Sequence, residues 1–310
     1  MTISTASTAR AGSDARRHPF ATARLPESFA VPESFALPES FARLGSFAPP
    51  GTSSAPAAAA PPRRDVQPDR TTTAQPAAVA VDLGSGYTRV WAAARPTLTA
   101  PTTGEVLRRP VPLLRRGRII DVAGCISLLT RMLGEHRHLM PERPVVVACR
   151  PVLASLDDQA KLRRVLTDVF EPSRILLVDT VLAAAMGVGA ASGALLVVDI
   201  GQQLTEVACL ANGRVTAARR VDLGTRDLAL GIVPGLLAEI VARLARDLLR
   251  EPAGPGAVLV VGGGAETAEL TAQLAASLRI PVRAAATPHS AAVTGAGLAA
   301  MAAARHPAVS

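Results

Sequence analysis

Hydrophobic and polar positions change register at Ala78, and from there on they spell out a repeated order of strands and helices. Residues 78–81 form an apolar run ending at Asp82, and 88–92 resume it after a glycine-containing turn, which predicts a β-hairpin. Residues 121–134 carry Val122, Ile126, Leu129 and Met132 at spacings of three and four, the period of an amphipathic helix. A β-branched strand is predicted over 144–148. A helix over 157–170 follows, with Leu162, Val165, Leu166 and Val169 on one side. Residues 175–178 read as a strand and 181–188 as a short helix of small residues. The pattern then begins again. Residues 194–200 and 206–210 predict a second strand–turn–strand, and 214–220 follow the Asn212–Gly213 turn. A helix over 236–250 has Leu237, Ile240, Val241, Leu244 and Leu248 together; a strand at 257–261 and helices at 265–278 and 291–304 close the chain. The order is α/β, and each half opens with a hairpin.

One stretch imitates a membrane span. Residues 181–198 carry no charge, but Gly187, Gly189, Ser192 and Gly193 interrupt them, and Asp179 and Asp199 bracket them. A helix, a turn and a buried strand account for it better. Residues 1–17 are polar and lack the apolar core of a secretory signal, so the expected location is cytoplasmic.

Composition narrows the chemistry. The 310 residues are 49% hydrophobic, yet aromatic side chains number only six Phe, one Trp and one Tyr. Phe20, Phe29, Phe35, Phe41 and Phe47 precede the register change, so the core must be built from Ala, Val, Leu and Ile around Phe170, Trp91 and Tyr87. That excludes modules that stack nucleic-acid bases on aromatic platforms. The net charge of +8 favours anionic surfaces, but the basic residues, all Arg except Lys161, are scattered among acids, and no nucleic-acid partner is expected. Cys125, Cys149 and Cys209 lack metal-ligand spacing and read as reduced, buried thiols.

Residues 1–77 form a separate block rich in Ala, Pro, Ser, Thr and Arg, expected to be a disordered tail, as is 304–310. Within it LPESFA (25–30), VPESFA (31–36) and LPESFA (37–42) repeat, followed by the worn copy RLGSFA (43–48). Proline every sixth residue forbids a continuous helix, whereas two turns of polyproline II would align the Phe side chains. The block reads either as a multivalent aromatic binding segment or as a low-complexity extension.

Chemistry concentrates in two turns, Asp82-Leu83-Gly84 and Asp199-Ile200-Gly201, each placed between strands. Such turns let backbone amides approach a phosphate, while the aspartate can hold a hydrated divalent cation. A third element, Gly262-Gly263-Gly264, lies between a strand and a helix, where glycine lets the backbone approach a nucleotide. Two similar turns 117 positions apart suggest a nucleotide held between two similar lobes.

These motifs, in this order, resemble the actin–Hsp70–sugar-kinase superfamily, and within it the bacterial actin-like MreB family of rod-shape determinants. The likeness runs over 78–303. VDLGSGYTRVW (81–91) is similar to the first phosphate loop and LVVDIGQQLTEVACL (196–210) to the second. PVVVACRPVLASLDDQAKLRRVL (144–166) resembles the strand and helix bearing the catalytic carboxylate, LLVDTVLAAAMGVG (176–189) the first connecting segment. VLVVGGGAETAEL (258–270) resembles the adenosine motif, and TPHSAAVTGAGLAA (287–300) the segment after it. The resemblance implies a two-lobed, actin-like ATPase fold, a duplicated ribonuclease H-like arrangement, with lobes at about 78–190 and 191–303. It implies ATP and Mg²⁺, with Asp82, Gly84, Ser85 and Thr88 on one phosphate side and Asp199, Gly201 and Thr205 on the other. Gly262, Gly263 and Gly264 would approach the adenosine, Asp158 would orient the attacking water, and Asp82 and Asp199 would hold the metal.

Departures are specific. Gln202, Gln203 and Leu204 stand where the family has two glycines and a threonine, and their side chains would crowd a phosphate. Asp158 is a methylene shorter than the family's glutamate, and Thr180-Val181 replaces its Glu-Pro. Little chain lies between the first hairpin and Arg118, or between Asp227 and Leu236, so the outer subdomains are expected to be reduced. The first of these gaps holds Arg108, Arg109, Arg115, Arg116 and Arg118 interleaved with Leu113 and Leu114. It reads as a contact with anionic lipid or an acidic partner, the leucines touching the bilayer, or as a solvated basic loop.

The expected function is therefore an MreB-like scaffold for cell shape and cell-wall synthesis, at most a weak ATPase. Self-assembly, cell-wall or membrane-associated partners and a peripheral place at the inner face of the cell membrane would go with it. The alternatives are an adaptor that works without nucleotide and a small-molecule kinase or phosphatase of the same superfamily.

Overall fold

The apolar runs pair into two five-stranded sheets with the same order in a computed structural model that describes residues 76–102, 112–134, 136, 140–249 and 255–306. The PESFA repeats, Arg108 and Arg109 lie outside the described residues. In the first sheet β1 (Ala78–Leu83) pairs antiparallel with β2 (Tyr87–Ala92), and β2 with β3 (Leu98–Pro101). On its other side β1 runs parallel to β6 (Val145–Arg150), which runs parallel to β7 (Arg174–Asp179). A two-stranded ribbon, β4 (Leu114–Arg115) and β5 (Arg118–Ile119), stands beside this sheet.

The second sheet repeats the plan. Its β8 (Leu195–Ile200) pairs antiparallel with β9 (Thr205–Ala211), and β9 with β10 (Arg214–Val221). Parallel strands β11 (Val258–Val261) and β12 (Val282–Ala284) complete it. The order 3-2-1-4-5 within each sheet is the duplication the two hairpins announced.

Alternation along the strands decides which helices cover which face. Val79, Val81 and Val146 point to the outer face of the first sheet. There they meet α1 (Val122–Gly134) and α2 (Leu156–Phe170) through Leu128, Leu129, Val165 and Leu166. Leu196, Val198 and Val260 point outward from the second sheet toward α5 (Pro234–Leu249) and α6 (Ala268–Leu278). Between α5 and β10 the chain makes only the single turn of α4 (Thr225–Ala229).

The inner faces share one core. Ala78, Ala80 and Val147 of one sheet and Val197, Ala208 and Leu259 of the other enclose α3 (Thr180–Gly187) and α7 (Ala291–Arg305). These two helices are built from Ala and Gly because two backbones must pass between two sheets. A Cβ on Gly187 would lie 2.1 Å from the Ala291 carbonyl oxygen; one on Gly295 would lie 1.7 Å from that of Ala183. The last helix packs on β1, β2 and β6 of the first lobe, although it follows the second lobe in sequence.

The basic ribbon corrects one expectation. Leu113 and Leu114 do not face a bilayer; they are 0% and 4% exposed and join the α1 cluster against Val79 and Val81. The Leu113 carbonyl oxygen accepts the Ile120 and Asp121 amides, which folds the ribbon back onto the sheet. Among the described residues no helix is long and apolar enough to cross a membrane.

Candidate functional site

The two Asp-x-Gly turns are the same turn twice. Gly84 N–H donates to Tyr87 O at 3.2 Å and Gly201 N–H to Leu204 O at 2.9 Å; a Cβ on either glycine would lie 2.9 Å from that same carbonyl oxygen. The offset of 117 carries Asp82 to Asp199, Thr88 to Thr205 and Arg89 to Glu206, and both acid positions sit directly across their hairpins from the last pair. The duplication has diverged there: lobe one pairs Asp82 with Arg89 at 3.8 Å, whereas lobe two sets Asp199 beside Glu206.

Several expected site residues do converge. Asp82 lies close enough to Asp199 for its charge to raise that carboxyl. Gly262, with φ +79°, lies against Asp199, since a Cβ there would stand 2.2 Å from Asp199 Oδ1. Gly264 packs on Ile200, while Gly263 begins a short 3-10 turn and has open space around it. Other expected residues turn away. Thr88 Oγ1 is hydrogen-bonded to Thr102 Oγ1 at 2.7 Å, and Thr205 Oγ1 donates to Leu223 O at 2.9 Å, so both hydroxyls are used inside their own lobes. Ser85 Oγ accepts the Gly117 amide at 3.5 Å.

Asp158 sits in the first turn of α2. Its amide donates to Ser155 Oγ at 3.1 Å, Ser155 Oγ donates to Asp158 Oδ2 at 2.6 Å, and Arg118 Nε lies 3.5 Å from Oδ1. That is a helix N-terminal cap carrying an ion pair. Burial pushes this carboxyl up, but the Ser155 hydrogen bond and the Arg118 charge outweigh it and hold it below the usual carboxylate range.

Sequence reasoning missed a set of buried acids behind the turns. Glu206 is 4% exposed and accepts the Val152 amide of the opposite lobe at 2.5 Å. Asp179 pairs with Arg150 at 3.2 Å, and Thr180 Oγ1 donates to Arg150 O at 3.0 Å. Burial, then the Asp82 charge, pushes Asp199 up to about 7. Burial and the Asp199 charge raise Glu206 well above the usual range against the pull of the Val152 amide. Burial also raises Asp82, opposed by Arg89, and Asp179, opposed by Arg150. The thiol of Cys149 is pushed up by burial and by all four of these acids, which places it among them. The signal was available for Glu206, a carboxylate inside the apolar run of β9.

The second loop fills the space between the lobes. Gln202 lies over the first loop, with its Cβ and Cδ each 3.2 Å from where a Gly86 Cβ would be. Gln203 Oε1 accepts the Arg116 amide at 3.2 Å. Leu204, 7% exposed, packs on Gly117 and Pro151; a Cβ on Gly117 would be 2.7 Å from Leu204 Cδ2. From behind, Thr225 N–H donates to Gly201 O at 3.0 Å and Arg226 N–H to Gln202 O at 2.8 Å. Within lobe one a cavity of about 20 Å³, room for one water, lies among Leu83, Gly117, Arg150, Pro151 and Asp158.

Side chains of Gln202, Gln203 and Leu204 therefore stand between the two loops. The donor set is a poor one for Mg²⁺: Asp82 is paired with Arg89, burial and the Asp82 charge raise Asp199, and Mg²⁺ requires octahedral oxygen ligands, several of them waters. Among the described residues no group of three or more His, Cys, Asp or Glu side chains is arranged to hold a metal. His289, near the glycine run in sequence, pairs with Glu266 at 2.7 Å on the surface.

Comparison with known proteins places this geometry. The family model described as MreB/Mbl protein matches residues 72–235. A search of curated protein sequences returns no match. Among solved structures, MreB 5 of Spiroplasma citri bound to AMPPNP superposes with a TM-score of 0.58 at 13% identity, covering 71% of this chain and 94% of that one. The same protein bound to ADP gives 0.59 at 13% identity, covering 73% and 97%. The ethanolamine utilization protein EutJ from Carboxydothermus hydrogenoformans gives 0.54 at 20% identity, covering 71% and 89%. At these identities the structural likeness establishes the actin-like fold.

Proposed function

Because the chain belongs to the MreB/Mbl family, we propose that it is a cytoskeletal scaffold that helps set cell shape by positioning cell-wall synthesis. It would act in the cytoplasm at the inner face of the cell membrane, through self-assembly and contacts with cell-wall or membrane-associated proteins. The observation that carries the reading over a small-molecule kinase or phosphatase is the family match, supported by a second loop whose Gln202, Gln203 and Leu204 lie against Gly86, Arg116 and Gly117 of the first lobe.

The test is a pelleting assay on the full chain, with electron microscopy of the pellet. Polymers that appear above a critical concentration support the scaffold. A chain that stays monomeric at every concentration up to its solubility limit would overturn it. The second reading, an adaptor that binds partners without nucleotide, is favoured by the packing of Gln203 and Leu204 into the first lobe. Absence of polymer, together with specific capture of cell-wall synthesis proteins by the purified chain, would select it. Turnover of a phosphorylated small molecule would defeat both readings.

A further inference from the structure

Neighbours of this fold are bound to AMPPNP and to ADP, and this chain makes contacts between its own lobes through its second loop. We propose that the second loop is a built-in replacement for the nucleotide: Gln202, Gln203 and Leu204 occupy the interlobe site and latch the lobes together, so that the closed state needs no ATP. The proposal goes beyond the scaffold reading and holds whether or not the chain polymerises.

The latch has a socket, a plug and a backing. The socket belongs to lobe one and is glycine-lined, Gly86 in the first loop and Gly117 at the ribbon turn, with Pro151 beside it. At Gly117 the φ of +75° strains any other residue, and a Cβ there would displace Leu204 from 2.7 Å. Plug and socket are complementary in chemistry: Leu204 Cδ2 lies over Gly117, with Pro151 at the same glycine, and the Gln203 side-chain oxygen accepts the Arg116 amide. Backing comes from α4, whose first two amides hold the Gly201 and Gln202 carbonyl oxygens; Gly224 lets the chain pass 2.4 Å from Gly201 O as measured to its would-be Cβ. A few residues away, Glu206 makes the same kind of crossing to Val152 N–H.

The electrostatics fit a site that has ceased to hold polyanion and metal. A loop that binds phosphate presents free amides and small residues, whereas here two amide side chains and a leucine stand in front of them. Of the acids behind it, Glu206 is buried and bonded to backbone across the lobes, and Asp82 is paired with Arg89 at 3.8 Å.

Hydrogen exchange of the full chain tests the latch, read with and without ATP and Mg²⁺ and alongside a titration with a fluorescent ATP analogue. The expected result is no saturable binding and no change in protection at residues 84–86, 116–117 and 201–204. In the Gln203→Ala, Leu204→Ala variant the Arg116 and Val152 amides should exchange about tenfold faster or more, while α5 and α6 keep their protection. If that variant loses protection in α5 and α6 as well, Gln203→Ala alone is the deciding variant, with faster exchange expected at Arg116 only. Saturable ATP binding by the unaltered chain, or unchanged Arg116 exchange in the deciding variant, overturns the proposal. Neither outcome bears on pelleting, so this failure and a failure of the scaffold reading are separable.

Discussion

Gly187 and Gly295 meet where α3 crosses α7, each presenting its Cα to the backbone of the other helix: a Cβ on Gly295 would stand 2.7 Å from Gly187 N, and one on Gly187 2.9 Å from Gly295 N. Neither helix can retreat, because Ala80 and Val147 press from one sheet and Val197 and Ala208 from the other. Gly295→Ala is therefore expected to cost at least about 3 kcal/mol, more than an ordinary overpacked core site. Urea denaturation measures it. Since alanine is the better helix former, a variant as stable as the parent would show that the crossing is not this close.

Asp199 makes stability depend on pH. Its folded pKa of about 7 lies above the ordinary 3.8, so the folded chain keeps a proton that the unfolded chain releases across that window. The contribution is whole below the lower value and is lost as pH rises through the upper one. Glu206 and Asp82, also raised, act in the same direction. Stability should fall between about pH 4 and pH 7. Asp199→Asn should flatten part of that slope and gain roughly 1–3 kcal/mol at the alkaline end. Denaturation curves across this range decide it, and an unaltered slope in the variant counts against the buried acid.

Glu206 separates hydrogen bonding from charge. Burial and the Asp199 charge raise its carboxyl, and Glu206→Gln keeps an oxygen for the Val152 amide, so this variant should change stability by less than about 1 kcal/mol. Glu206→Ala orphans that amide and opens a void, and should cost about 2–4 kcal/mol. Equal losses in the two variants would mean that a carboxylate charge is needed after all.

The strand–turn–strand pairs were legible because apolar β-branched runs stop at Asp-x-Gly, a local signal, and the long helices because their spacing is strict. Predicted and observed edges of α1, α5 and α7 differ by two residues or fewer. Short elements were not legible. The two-residue strands of the ribbon and the three-residue β12 exist only through their partners, so no local pattern specifies them. Leu113 and Leu114 misled for the same reason: amid arginines they resemble a lipid contact, and only the fold of 113–121 brings them to α1. At the candidate site, sequence showed that Gln202, Gln203 and Leu204 were unusual. That they reach Gly86, Arg116 and Gly117 depends on two lobes facing each other.

The cysteines give a chemical check on burial. Cys125, Cys149 and Cys209 are free and buried; burial and Asp121 push the Cys125 thiol up to about 12. Since the thiolate is the reacting species, all three should resist a disulfide reagent in the native chain and react together in denaturant. Rapid native labelling of Cys149 would require the lobes to open, because its S–H faces the Ala292 carbonyl oxygen of α7 at 3.7 Å.

That last contact also sets an order of events during synthesis. The inner face of the first sheet is covered by α7, which is made after the strands of lobe two, so lobe one emerges with Ala78, Ala80 and Val147 uncovered. It must wait through the translation of lobe two before its lid arrives. A fusion that holds the C-terminus away from the body would leave both lobes unfinished, even though it alters neither loop.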